Sequence, residues 1–229
     1  MLIIIDARIP DEAIGNLRIV GEVFLLKSDK IVYDSIQGHP DVFMMQLEDL
    51  VIVAPNAPKD LFKTLQEHRI PFLKGKTKLN DTFPQTVYYN AVSTSDYIIH
   101  KKNYTDSCII RQTDKKQFIE INQAYTRCNL IPLSNSCYIT SDKSIEKTLL
   151  NQNLEVHYFT PETILLPGQK NGFIGGTMGL WQNKMFVIGK LNHYQEGEKL
   201  TELLNRKKIK IIELYNGPLI DGGGIFFLE

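Results

Sequence analysis

Short apolar runs recur along the chain, each opened by a polar or small cluster and most followed by a tight polar turn and a second apolar run. The segments are HPDVFMMQLEDLVIVAP from His39, TVYYNAVSTSDYIIHKK from Thr86, YTRCNLIPLSNSCYITS from Tyr125, GFIGGTMGLWQNKMFVIGK from Gly172 and DGGGIFFLE from Asp221. Two apolar runs around a short polar turn predict a β-hairpin. The starts lie 47, 39, 47 and 49 residues apart. Near-constant spacing of one supersecondary unit marks a repeat architecture.

Helical patterns fall between the hairpins. In PNAPKDLFKTLQEHRI, Leu61, Phe62 and Leu65 share a face and Asn56 is a candidate cap. In TSDKSIEKTLLNQNLEV, Ser141 or Asp142 is the predicted N-cap, and Ile145, Leu149 and Leu150 face inward. EGEKLTELLNRKKIKII aligns Leu200, Leu203 and Leu204, while TDKKQFIEINQ and IPDEAIGNLRIV predict two shorter helices. A strand is expected after each of the three longer ones, over 71–73, 155–158 and 209–212. The unit is therefore hairpin, helix, strand.

The fifth unit stops after one strand, but the chain opens with Leu2-Ile3-Ile4-Ile5, an unpaired strand followed by a helix and Glu22-Val23-Phe24-Leu25. Pairing the two chain ends completes that unit and removes open sheet edges. The reading is an α/β fold, a five-bladed α/β propeller formed by a single domain over residues 1–229.

Composition narrows the class. Lys plus Arg and Asp plus Glu number 26 each, which argues against a general nucleic-acid binder. No stretch is long and apolar enough for a membrane span, and MLIII lacks a basic leader. Cys108, Cys128 and Cys137 form no C-x-x-C pair, which points to free thiols, a cytoplasmic location and no zinc site. Gly172-x-x-Gly175-Gly176 runs into a strand, so it reads as a hairpin turn and not as a phosphate loop. No metal and no cofactor is assigned.

Five segments carry a resemblance: Gly38-His39-Pro40-Asp41, Tyr125-Thr126-Arg127-Cys128-Asn129, Thr140-Ser141-Asp142, Gly172-Phe173-Ile174-Gly175-Gly176 and Leu219-Ile220-Asp221. Together with the five-unit layout, they resemble the pentein, or guanidino-group-modifying, superfamily, in a bacterial branch. Its catalytic members carry Gly-His-x-Asp before a strand, to which Gly38-His39-Pro40-Asp41 is similar. The resemblance implies His39 as acid/base and Asp41 as the grip on a guanidinium. A carboxylate suits a planar guanidinium and an imidazole suits proton transfer near neutral pH. Those enzymes attack with a cysteine after a C-terminal glycine-rich turn. Here Gly222-Gly223-Gly224 is present and the cysteine is not, so Cys128 is the substitute nucleophile to test. Its other reading is a small buried apolar residue. Asn90, Arg127, Asn129 and Asp221 sit at comparable strand starts as candidate ligand contacts. His39 and Asp41 read equally as a turn leading into a strand, and Asp221 as a turn residue. The expected function is binding of a small polar or cationic, guanidine- or amine-like metabolite, with hydrolase or amidinotransferase-like chemistry. The alternative is a non-catalytic binding or assembly protein.

Overall fold

The computed structural model describes Met1–Glu229. β1 (Leu2–Asp6) leads through α1 (Asp11–Arg18) to β2 (Glu22–Leu26). The single turn α2 (Pro40–Phe43) enters β3 (Met44–Gln46), followed by β4 (Val51–Val53), α3 (Lys59–Glu67) and β5 (Phe72–Lys74). Next come β6 (Val92–Ser93), β7 (Tyr97–His100), α4 (Ser107–Gln112) and β8 (Gln117–Glu120). The turn α5 (Thr126–Asn129) precedes β9 (Leu130–Pro132), β10 (Cys137–Thr140), α6 (Lys143–Leu150) and β11 (Glu155–Tyr158). β12 (Met178–Trp181), β13 (Lys184–Val187), α7 (Gly197–Arg206) and β14 (Lys210–Glu213) follow, and β15 (Phe226–Leu228) closes the chain.

These strands form five separate three-stranded sheets of mixed α/β character, none closed on itself. Every sheet has the same ladder. A middle strand pairs antiparallel with one neighbour and parallel with the strand that follows the helix. A parallel partner needs a crossover, which the helix supplies. The chain ends obey the same rule. β1 pairs antiparallel with β15, with Leu2 opposite Leu228 and Ile4 opposite Phe226, and parallel with β2.

Middle strands are buried on both faces. Leu2 to Ile5 are at most 1 % exposed, and Val51, Ile52 and Val53 at most 2 %. Leu61 and Leu65 of α3, Ile145 and Leu149 of α6, and Leu200, Leu203 and Leu204 of α7 are buried, so helical periodicity chose the covered faces correctly there. Leu150, expected inward, is 49 % exposed because it lies one position past the buried stripe. Asp142 is the α6 cap, accepting from the Ser144 and Ile145 amides. Asn56 is not a helix cap; its side chain holds the backbone of Leu79 through two hydrogen bonds.

One expected helix is a strand. Residues 113–123 contain β8, paired parallel with β7. The helix lies upstream as α4, capped by Asp106 on the Cys108 amide. A short apolar pair such as Phe118-Ile119 fits either period, and the open edge of β7 decided it. No helix is long and apolar enough to cross a membrane.

Candidate functional site

The segments that open the strands of the hairpins converge. Pro40 begins α2 at a position that needs no amide donor, and its fixed φ sets the turn that carries Asp41. Asp41 is fully buried. Its Oδ2 accepts the Cys128 thiol at 2.9 Å, and its backbone carbonyl accepts Asn90 Nδ2 at 3.0 Å. Asn90 Oδ1 also accepts the Cys128 amide at 3.2 Å, and Asn90 Nδ2 lies 3.3 Å from the sulfur. One asparagine thus ties the Asp41 backbone to the Cys128 amide and sulfur.

Burial pushes the Asp41 carboxyl up to about 6, against the opposing pull of the Cys128 hydrogen bond and of Arg127. Burial, then the charges of Asp41 and Asp221, hold the Cys128 thiol well above its ordinary value. Cys128 therefore rests as a thiol beside a carboxylate.

His39 is 1 % exposed and lies between two acids. Nε2 is 3.8 Å from Asp6 Oδ2, and Nδ1 is 3.8 Å from Asp221 Oδ1. Both distances exceed a hydrogen bond. Burial lowers the His39 pKa, and the two acids oppose that shift only in part. Three buried side-chain polar atoms have no hydrogen-bond partner: His39 Nδ1, His39 Nε2 and Asp41 Oδ1. All three belong to this one centre. Buried polar groups are nearly always paired, so such a concentration calls for an explanation.

Asp221 is held by two amides, Phe173 to Oδ2 at 2.9 Å and Gly223 to Oδ1 at 3.0 Å, while burial raises its pKa. Gly223 and Gly224 have φ of +70° and +80°, where other residues are strained. A Cβ on Gly223 would stand 2.4 Å from His39 Cβ, and one on Gly224 would stand 2.9 Å from Arg127 Nη2. The glycine run leaves the room that His39 and Arg127 occupy.

Arg127 donates to the Gly175 and Met178 carbonyls at 2.7 and 3.3 Å and lies over the Phe226 ring. It lines a cavity of about 400 Å³ together with Trp181 and Phe227. Asn129 is turned away from the centre: Nδ2 donates to the Tyr125 carbonyl and Oδ1 accepts from Ser141 Oγ, both at 2.9 Å. Tyr125 is tied through its hydroxyl to Tyr33 and Thr86, and Trp181 stacks on Phe227.

Two members of the centre, Asp6 and Arg8, were not selected from the sequence. Asp6 is 2 % exposed at the end of β1. Arg8 grips it through Nε at 2.9 Å and Nη2 at 2.5 Å. The available signal was an acid ending a fully apolar strand with an arginine two residues on. A cavity of about 170 Å³, lined by Asp6, Arg8, Ser35, Leu166 and Asp221, lies against this group. A cleft of about 510 Å³, lined by Arg8, Tyr33, Asp34, Gln37 and Gln169, adjoins it. Away from the centre, Cys137, Glu155 and His157 bring metal-capable atoms within 4.8 Å of one another. Lys207 already engages Glu155 there at 2.6 Å.

The chain has the pentein fold, shared with solved structures of low sequence identity. A mutant DDAH from Pseudomonas aeruginosa complexed with citrulline matches with a TM-score of 0.56 at 10% identity, over 93% of this chain and 91% of that one. The agmatine deiminase of C. jejuni matches at 0.57 and 11% identity, over 95% and 78%. The inosamine-phosphate amidinotransferase StrB1 from Streptomyces griseus matches at 0.54 and 12% identity, over 94% and 90%. By sequence, the chain belongs to DUF6873, a family of unknown function whose model matches residues 4–226. No curated protein matches it.

Proposed function

We propose that the chain binds a small cation, a guanidine- or amine-like metabolite, at the centre formed by His39, Asp41 and Asp221. In this reading the five sheets stand as blades around one axis, closed by the β1–β15 pairing, and the centre lies on that axis. The observation that carries it is the clustering of His39 Nδ1, His39 Nε2 and Asp41 Oδ1 as the buried side-chain atoms without partners. A carboxylate oxygen accepts from a cation and a neutral imidazole can accept or donate, so one small N–H-bearing ligand would satisfy what the chain leaves open. Asp221 beside the imidazole and the buried Asp41 two residues on from His39 are carboxylates that favour positive charge.

A ligand at a hundredfold excess over its Kd stabilises a protein by about 2.7 kcal/mol, which is about 5–11 °C for a chain of this size. A thermal-shift screen with guanidines, amines and amino acids should give such a rise with at least one cation and none with Asp41→Asn. The absence of any shift across the screen overturns the reading and leaves a binding or assembly role that does not use this centre.

A second reading, hydrolase chemistry, is favoured by the 2.9 Å contact between Cys128 Sγ and a carboxyl raised to about 6. A carboxylate poised near neutrality can act as general base to a thiol. Asp41 would take the thiol proton as sulfur bonds to the guanidinium carbon, and the C=N pair would move onto nitrogen. The carbon–nitrogen bond to the leaving amine would then break as Asp41 returns to that nitrogen the proton it took from the thiol. Water would then form a C–O bond to the same carbon as the carbon–sulfur bond breaks, one of its protons going to the neutral His39 imidazole and the other to sulfur, which restores the thiol. Release of amine or ammonia from a guanidine, lost in Cys128→Ser while ligand binding persists, is the expected result. No turnover of any ligand that binds would exclude this chemistry.

A further inference from the structure

On the reading that the centre takes a cation, we infer that the mouth selects cations without a carboxylate, meaning guanidino- or aminoalkanes in preference to the corresponding amino acids. The charges that line the inner cavity are Asp6, Arg8 and Asp221, and those of the outer cleft are Arg8 and Asp34. Arg8 is therefore the one cation along the approach, against three acids.

Arg8 is already committed. Nε and Nη2 hold the Asp6 carboxylate, Nη2 also donates to the Ser35 carbonyl at 3.1 Å, and Nη1 donates to the Asp34 carbonyl at 2.6 Å. A side chain whose charge is neutralised by a two-pronged carboxylate and whose donors are largely spent is not a receptor for a second carboxylate. With that pair balanced, Asp221 inside and Asp34 outside are left as the excess charge.

Size places the ligand's parts. The inner cavity, about 170 Å³, has room for about five or six waters at ~30 Å³ each. Ile9, Leu165, Leu166, Pro167 and Ile220 supply an apolar wall suited to a short methylene arm. With the cationic head at Asp221, the lining acid that stands 3.8 Å from His39, the far end of such an arm is directed to the outer cleft beside Asp34. A carboxylate there meets like charge and a spent arginine. An ammonium or a neutral group does not.

The test compares agmatine, arginine and arginine methyl ester, which share the guanidinium and arm, by titration calorimetry on the intact protein. Agmatine should bind at least tenfold more tightly than arginine, and masking the carboxylate in the ester should recover most of the difference. Asp34→Lys, which alters an exposed side chain and leaves its carbonyl in place for Arg8, should narrow the agmatine-to-arginine ratio. Arginine binding as tightly as agmatine overturns the selectivity while the cation site stands. If none of the three binds, the site does not take guanidines and the selectivity falls with it.

Discussion

Asp41→Asn should make the protein more stable above pH 6 while abolishing ligand binding. The unfolded chain releases this proton near 3.8, whereas the folded chain holds it to about 6. Between those values the folded state binds more protons, so Asp41 costs stability progressively as pH rises from about 4 to about 6 and by a constant amount above. The gap from 3.8 to about 6 corresponds to about 3 kcal/mol at about 1.4 kcal/mol per pKa unit. Asn keeps the size, its Oδ1 can still accept the Cys128 thiol, and it carries no charge to desolvate. Melting temperatures should rise by up to about 6–12 °C at pH 8 and converge with those of the parent near pH 3.5. Equal stability at pH 8 would mean that the buried carboxylate is already compensated, and it would remove the physical reason for expecting a ligand cation beside it.

Phe227→Ala should be among the most damaging single changes in the molecule. Phe227 is 6 % exposed in β15, opposite Ile3 of β1, so it lies in the seam that joins the two ends of the chain. Its ring stacks on Trp181 at 5.8 Å and packs on Phe186 at 4.9 Å. Large-to-small changes of this kind cost about 3–5 kcal/mol, a substantial share of a typical total of about 5–15 kcal/mol. Trp181 is the single tryptophan, so chemical denaturation followed by its emission should show an early transition and an altered native spectrum. A loss under about 1 kcal/mol would show that the seam contributes little and that the sheets do not depend on the joined termini.

Most of the fold was legible because its elements are short and strongly patterned. Leu2–Ile5 and the apolar tail beginning at Ile225 were each incomplete alone, and the rule against open edges brings them together as the β1–β15 pair. The α6 and α7 stripes named their buried faces for the same reason, with Leu150 as the exception at a helix end. Phe118-Ile119 carried no period long enough to separate strand from helix, so the partner strand decided it.

The candidate centre was half legible. His39, Asp41, Asn90, Cys128 and Asp221 could be nominated from the sequence because each opens or precedes a strand of a repeated unit, and repetition implies convergence. Nothing local says that Asn129 spends its amide on Tyr125 and Ser141, or that Arg127 turns toward backbone carbonyls and a separate cavity. Nor does the sequence say that Asp6, from the opposite end of the chain to Asp221, flanks the same imidazole. By itself the sequence determined the repeated unit and which residue types stand at its polar ends, since periodicity and turn chemistry are local. The tertiary structure alone decided which of those ends face one another, which hydrogen bonds they exhaust and which they leave open. Those depend on distances between residues far apart in the chain, and burial turns those distances into pKa shifts and unsatisfied atoms.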